Sequence, residues 1–345
     1  MSEINLFRSK PRKIREFTLD CLYANLVPFI TASPGVGKSS IMHSIAKELN
    51  LFVIDHRLST SAPEDMSGLP QFKDGYATFA PFIDLFPLKS CKIPDGYDGW
   101  LVFLDEFNSA SKSVMAAAYK LILDRKVGQH DLHDRCLIAC AGNLDTDRAI
   151  TNPIGTAMQS RVIHLEMQVD FEQWLMDVAL PNNYDSRIIG YLSQYNSRLM
   201  DFNPLHKDKT FCCPRTWEFM DRLVYQKPVT VEKTPLYAGT ISSGVAADFV
   251  AYTQVYATMI TYEQVMADPG NCPVPQDNNT KWAVISSLME KADDKNFASL
   301  ATYANRFDLS FRILFFRSTL VRTPTLRQHP AFAKAMIELQ HYLMG

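Results

Sequence analysis

No Cys-x-x-Cys pair occurs in this sequence, and its seven cysteines, Cys21, Cys91, Cys136, Cys140, Cys212, Cys213 and Cys272, make an odd number. Without paired Cys or His at ligand spacing no structural zinc site is expected, and the thiols read as reduced and mostly buried. No stretch approaches the roughly 18 apolar residues of a membrane-spanning helix. The opening MSEINLFRSKPRKIREF has no apolar core of signal-peptide type. Together these absences predict a soluble, cytoplasmic protein. An excess of one charge is missing too. The formal net charge is −2, so no global basic field draws the chain to nucleic acid or to an anionic membrane. Internal repeats and low-complexity tracts are likewise absent.

What is present is an ordinary globular balance, 47% hydrophobic and 21% charged residues over 345 positions. That is enough for real cores and for two or three domains. The first half alternates short apolar runs with helical patterns, as parallel α/β units do. Five strands are predicted, at 28–31, 52–55, 100–105, 137–142 and 162–165. Their near-continuous apolar character suits strands covered on both faces. Helices are expected around 38–50 and 113–123. Between the second and third strands, Asp74-Gly75 supplies the positive φ angles of a type I′ turn, flanked by Phe72, Tyr76 and Phe79. A hairpin inserted around 70–80 is the expectation. After about residue 168 the strand signal fades into helical patterns at 171–180, 186–200, 214–225 and 244–260. A loop dense in Pro, Gly, Asn and Asp at 268–279 precedes three more, at 281–293, 297–319 and 331–344.

Chemistry concentrates in a few places. Ala32-Ser33-Pro34-Gly35-Val36-Gly37-Lys38-Ser39-Ser40 follows a strand and opens a helix, matching the P-loop pattern except that Ala32 stands at the first glycine. Gly35 and Gly37 allow backbone N–H groups to wrap phosphate oxygens, and the helix start adds free donors. Lys38 would place a charge on the β and γ phosphates and Ser39 would ligate Mg²⁺. Residues 101–106 form an apolar strand ending in Asp105 and Glu106. Ligands in parallel sheets sit at the carboxyl strand ends, so Asp105 would hold Mg²⁺ through water and Glu106 would polarise the attacking water. Asn143 ends the fourth strand and can orient that water. Arg161 opens the fifth strand, and Arg215 opens a helix of the second half. Singly these are ordinary features, since acids decorate helix starts and arginines make surface ion pairs. Their order along the chain sets them apart.

That order, P-loop, Asp-Glu, strand-end Asn, late Arg and Pro-Arg, resembles AAA+ ATPases. Within them it most resembles the MoxR-type group, in the branch with a hairpin inserted in the second helix. The stretches that carry the likeness are 63–70 (PEDMSGLP), 104–110 (LDEFNSA), 141–143 (AGN) and 213–217 (CPRTW), and it covers roughly residues 20–255. With it, the expected organisation is an α/β P-loop core with a parallel five-stranded sheet at 1–168, a helical lid at 169–256 and, from the helical patterns and a weaker likeness, a helical C-terminal extension at 257–345. Lys38 and Ser39 match Walker A, Asp105 and Glu106 Walker B, Asn143 sensor 1, Arg161 the arginine finger and Arg215 sensor 2. Arg148 is the second choice for the finger, because Val162 follows Arg161 where the group usually has Phe.

The implied activity is Mg²⁺-dependent ATP hydrolysis at the subunit interfaces of a ring, of six copies in the family manner, remodelling a partner protein. MoxR-like ATPases commonly work with a von Willebrand A domain protein. Two alternatives stay open. One is a nucleic-acid translocase, for which Lys73, Tyr76 and Phe79, with Lys126 and His130, give a thin basic-aromatic loop. The other is a nucleotide-gated scaffold that hydrolyses poorly.

Overall fold

The computed structural model describes residues 7–147, 152–257 and 259–343, and the chain divides into two compact units, Met1–Val169 and Asp170–Gly345. In the first unit the elements run β1 (Arg8–Ser9), α1 (Pro11–Tyr23), β2 (Val27–Thr31), α2 (Lys38–Glu48), β3 (Leu51–Arg57), α3 (Pro63–Ser67), β4 (Leu69–Lys73), β5 (Tyr76–Ala80), β6 (Gly99–Asp105), α4 (Lys112–Asp124), β7 (Lys126–Val127), β8 (His130–Asp131), β9 (Cys136–Gly142), α5 (Thr156–Gln159) and β10 (Val162–Met167). The main sheet has six strands in the order β1-β10-β2-β9-β6-β3, every neighbouring pair parallel. The expected count was five. The extra strand is two residues long, without an apolar run to announce it. It is held by pairing with Glu166 and Met167 and by an Arg8–Glu166 ion pair.

The period of two along each strand divides the core into two layers. Val102 and Leu104, Ile138 and Cys140, and Val27 and Phe29 face one side, where α4 contributes Val114, Ala118, Leu121 and Ile122. Leu101 and Phe103, Ala139 and Ala141, and Ile30 and Ala32 face the other, where α1 supplies Ile14 and Leu22 and α2 supplies Met42, Ile45 and Ala46. The four-residue steps on α2 and α4 are the apolar stripes of helices packed on a sheet. Ser111 fixes the start of α4, its Oγ accepting from the Val114 N–H at 3.3 Å. Between β3 and β6 the chain makes the β4–β5 hairpin, with Asp74 at φ +53° and Gly75 at φ +82° in the two turn positions.

The second unit is helical: α6 (Phe171–Trp174), α7 (Ser186–Gln194), α8 (Pro214–Val224), α9 (Thr234–Ile241), α10 (Ser243–Gln254), α11 (Tyr262–Ala267), α12 (Asn278–Glu290), α13 (Phe297–Ala304), α14 (Leu309–Arg322) and α15 (Pro330–Leu343). Residues 171–180, expected as one α-helix, change to a π-helical turn at Leu175–Ala179. The stretch 297–319, expected as one helix, breaks after Ala304 and restarts at Leu309. Asp308, with φ −62° and ψ 159°, has the extended backbone of a helix N-cap. The centre of the unit is aromatic. Tyr191, Trp217 and Phe249 meet pairwise at centroid distances of 5.4–5.9 Å, and the Trp217 indole N–H donates to the Arg198 carbonyl at 2.8 Å. Helix α12 packs against both α7 and α14. All seven cysteines are free thiols, six buried and Cys91 partly exposed. Among the described residues no helix is long and apolar enough to cross a membrane.

A half-buried polar cluster ties α7 to α8. The Asp185 carboxylate receives the Arg187 guanidinium at 2.6 and 2.8 Å, and Asp221 accepts from the Asp185 backbone N–H at 2.7 Å. Burial, and then the neighbouring Asp185 charge, push the Asp221 carboxyl up to about 6 against the pull of the Asp185 N–H and Arg322. A folded-state value above the unfolded one means that Asp221 stabilises the fold most below its unfolded value and loses that contribution as pH rises through about 6. Asp221→Asn keeps an acceptor for the Asp185 N–H. Its melting temperature relative to wild type should therefore rise between pH 5 and pH 7.5, read by thermal denaturation at both; a difference that is flat with pH would contradict this.

Candidate active site

The strand registers align the carboxyl ends of four neighbouring strands. Thr31 lies beside Gly142, Leu104 beside Cys140, and Arg57 beside Asp105. The loops leaving this edge carry Gly35 to Ser39 after β2, Asn143 after β9, Asp105 and Glu106 at the end of β6, and Arg57 to Ser61 after β3. In the loop after β2, Gly35 and Gly37 hold φ of +75° and +95°, conformations that side chains with a Cβ rarely adopt. Ala32, at the position where the motif expects glycine, is buried within β2's layer of the core.

Lys38, the first residue of α2, turns its ammonium back over the loop. Its Nζ donates to the Ala32 carbonyl at 2.9 Å, the Ser33 carbonyl at 3.2 Å and Asn143 Oδ1 at 3.3 Å. Ser39 Oγ donates to Asp105 Oδ2 at 3.1 Å. The other Asp105 oxygen accepts from the Glu106 N–H at 2.8 Å. Only 7% of Asp105 is exposed, so both oxygens need such donors. Glu106 leaves the strand at φ +53°. Its carboxylate accepts from the Ser59 hydroxyl and lies 3.7 Å from Arg57 Nε. Lys38, Ser39, Asp105 and Asn143 are thus gathered at one place, with Glu106 at its margin.

Within the same unit, Arg161 is elsewhere. Arg161 precedes Val162, which pairs with Val27 at the opposite, amino end of the sheet. The five residues of β2 separate that end from the loop, about 17 Å at 3.3 Å per residue. Its guanidinium lies 5.0 Å from the Tyr119 ring centroid and donates to Ser160 Oγ at 3.2 Å. Arg215 is exposed in the first turn of α8, in the other unit. Arg148 lies outside the described residues.

Three site neighbours escaped the sequence reading: Arg57 and Ser59 on Glu106, and Asn108. Asn108 Oδ1 accepts from the Asn143 backbone N–H at 3.0 Å, and Asn108 Nδ2 donates to the Asn143 carbonyl at 2.8 Å. Asn108 lies in the 104–110 stretch that carries the family likeness, but nothing in that stretch alone showed which backbone it would face. Gly142 has to be glycine here, because a Cβ would stand 2.3 Å from Asn108 Oδ1 and 2.9 Å from the Phe29 ring.

The donors at this place are hard oxygens beside a helix start and an ammonium. A serine hydroxyl and a carboxylate oxygen 3.1 Å apart suit Mg²⁺, which takes few protein ligands and keeps several waters. The fold is α/β, of the P-loop type: a glycine-bearing loop leads from a buried parallel strand into a helix, flanked by an acid-ended strand. No family model matches the chain, and no curated protein matches it. Among solved structures it is similar to the RuvB Holliday junction branch migration motor of Thermotoga maritima, at 15% identity and a TM-score of 0.35, over 86% of this chain and 87% of that one. It is also similar to a candidate ATPase of Cytophaga hutchinsonii, at 11% identity and a TM-score of 0.35, over 96% and 88%.

Gly142→Ala should cost about 1–3 kcal/mol through overpacking against Asn108 and Phe29. Urea unfolding measures it, and an unchanged midpoint would show that this approach is looser than described.

Proposed function

We propose that the chain is an ATPase of the AAA+ type, with the MoxR-like group as its closest resemblance, which hydrolyses ATP in a homo-oligomeric ring and remodels a partner protein. The observation that carries the reading is the meeting of Lys38, Ser39, Asp105 and Asn143 at one carboxyl sheet edge. In the proposal the N–H groups from Gly35 to Ser40 cradle the phosphates, with Pro34 leading into the loop and Gly35, Val36 and Gly37 forming the turn. Lys38 exchanges its loop carbonyls for phosphate oxygens. Ser39 and Asp105 hold Mg²⁺, which when bound offsets phosphate charge. Glu106 orients and deprotonates the attacking water. Asn143 holds that water and the γ-phosphate in line.

Arg161 supports assembly by its position. It lies beside the amino end of the sheet, a β2 length of about 17 Å from the loop at the other end, which suits a role on a neighbouring copy's phosphate, in a head-to-tail contact of the kind that closes rings. A ring of about six copies is the family expectation. Arg215 reads the phosphate from the helical half, whose residues 169–256 form the lid and 257–345 the extension. The partner is a separate polypeptide, with a von Willebrand A domain protein as the family expectation, and the setting is cytoplasmic. Light scattering with Mg²⁺ and a slowly hydrolysed ATP analogue should show wild type as a ring and Lys38→Ala as a smaller species. Glu106→Gln should bind nucleotide like wild type yet lose about 10²–10⁴-fold in turnover. A monomer with full, concentration-independent turnover would refute the ring. Equal turnover in wild type and Glu106→Gln would favour a nucleotide-gated scaffold.

One observation favours a second reading. Phe72 and Tyr76 are 88% and 78% exposed on the β4–β5 hairpin, with Lys73 between them in sequence. Exposed aromatics beside a base are stacking platforms for single strands. If the chain moves on nucleic acid, a single-stranded oligonucleotide should bind wild type and lose at least tenfold in affinity to a Phe72→Ala, Tyr76→Ala double variant. Absence of binding at low salt would leave protein remodelling alone.

A further inference from the structure

The ladder that positions Asn143 runs out just before it. Pairing of β9 with β2 ends at Thr31 and Gly142, and pairing with β6 ends at Leu104 and Cys140. One residue further on, no strand among the described residues is paired with the Asn143 backbone, yet its N–H and C=O are both satisfied. The Asn108 side chain supplies the acceptor and the donor, at 3.0 and 2.8 Å, in the two-bond exchange that a single residue of an antiparallel strand would give. Asn108 is 3% exposed, so water cannot replace those bonds. Its own main chain is also fixed: the Asn108 carbonyl accepts from the Asn152 N–H at 2.6 Å, and Asn152 Nδ2 donates to the Ala110 carbonyl at 2.8 Å. The short turn directly after Glu106 is therefore clamped to the loop that carries Asn143.

We propose that Asn108 is a positioning residue for the reaction: its side chain extends the sheet by one residue and so holds the Asn143 amide toward Lys38 and the phosphate edge. This rests on the ATPase reading above. Asn108 acts through Asn143, the residue its side chain bonds. An amide is required. Aspartate has the same shape and could accept from the Asn143 N–H, but once ionised it cannot donate to the carbonyl. It would also face that carbonyl with a charge, two residues from Glu106. Alanine removes both bonds.

The test compares steady-state ATP turnover, equilibrium binding of a fluorescent ADP analogue and thermal melting for full-length wild type, Asn108→Ala, Asn108→Asp, Asn143→Ala and the Asn108→Ala, Asn143→Ala double variant. Expected are kcat losses of about 10–100-fold for both Asn108 variants, the scale on which small misplacements act. Changes in KM and in ADP affinity should stay within about threefold, because the loop that holds the phosphates is intact. The double variant should be no slower than Asn143→Ala, since both substitutions remove one function. A folded Asn108→Ala with wild-type kcat, full rescue by Asn108→Asp, or multiplicative losses in the double variant would each overturn the proposal. Should Asn108→Ala not fold at the assay temperature, hydrogen exchange on wild type decides: the Asn143 amide is expected to be protected, and exchange at the rate of an open loop would overturn it. A wild type that hydrolyses ATP while remaining indifferent to Asn108 defeats this inference alone. A wild type without turnover defeats the ATPase reading beneath it.

Discussion

Strand β6 is buried from Gly99 to Asp105, and much of the first unit follows from that. A strand with no solvent face has to be apolar on both sides and flanked by paired strands, so that every backbone group finds a partner. The burial extends to its last residue, which is an aspartate. A carboxylate in that place is tolerable only with donors at hand, and the Ser39 hydroxyl and the Glu106 amide provide them. The serine belongs to α2, so the acid couples the end of one central strand to the start of the helix that leaves another. Local rigidity, charge placement and the approach of the glycine-bearing loop are consequences of one requirement.

The same edge shows how polar groups are arranged before any substrate is considered. Lys38 is held by two carbonyls and an amide oxygen, and Glu106 by a hydroxyl and a nearby guanidinium. The charged groups are thus already gathered at the edge, so that an arriving charge exchanges partners rather than drawing the groups from solvent, the economy on which electrostatic catalysis depends. The second unit organises its polar atoms differently. There the Asp185, Arg187 and Asp221 cluster joins helices around an aromatic centre, which is a matter of packing rather than chemistry.

How much of this was legible beforehand varied with the length scale of the signal. Strands such as Gly99–Asp105 and Cys136–Gly142 announce themselves through apolar runs, and Asp74-Gly75 through the φ angles its turn demands. Lys38, Ser39, Asp105 and Asn143 could be picked out because each stands at the end of a strand or the start of a helix. Two residues of β1 leave no pattern, and their pairing is decided by a strand some 150 residues away. The π-helical turn at Leu175–Ala179 and the restart of the helix after Asp308 are backbone details that apolar periodicity does not encode. Asn108, Arg57 and Ser59 were hidden for a third reason. A polar residue in a loop has many possible partners, and only the folded chain shows which backbone or carboxylate it meets.

The cysteines acquire a meaning beyond their number. Six are buried, spread over both units, and burial above all drives the Cys136 and Cys212 thiols up to about 12, with Cys140 higher still. Since the thiolate is the reactive form, these sulfurs are nearly silent toward electrophiles while their surroundings stay closed, whereas Cys91 is partly open. Each buried thiol is thus an internal clock for its own neighbourhood. The pace at which Cys136 and Cys140 can be alkylated counts openings of the central sheet, and that of Cys212 and Cys213 counts openings at the base of α8, so the two units report their breathing separately with no foreign label introduced.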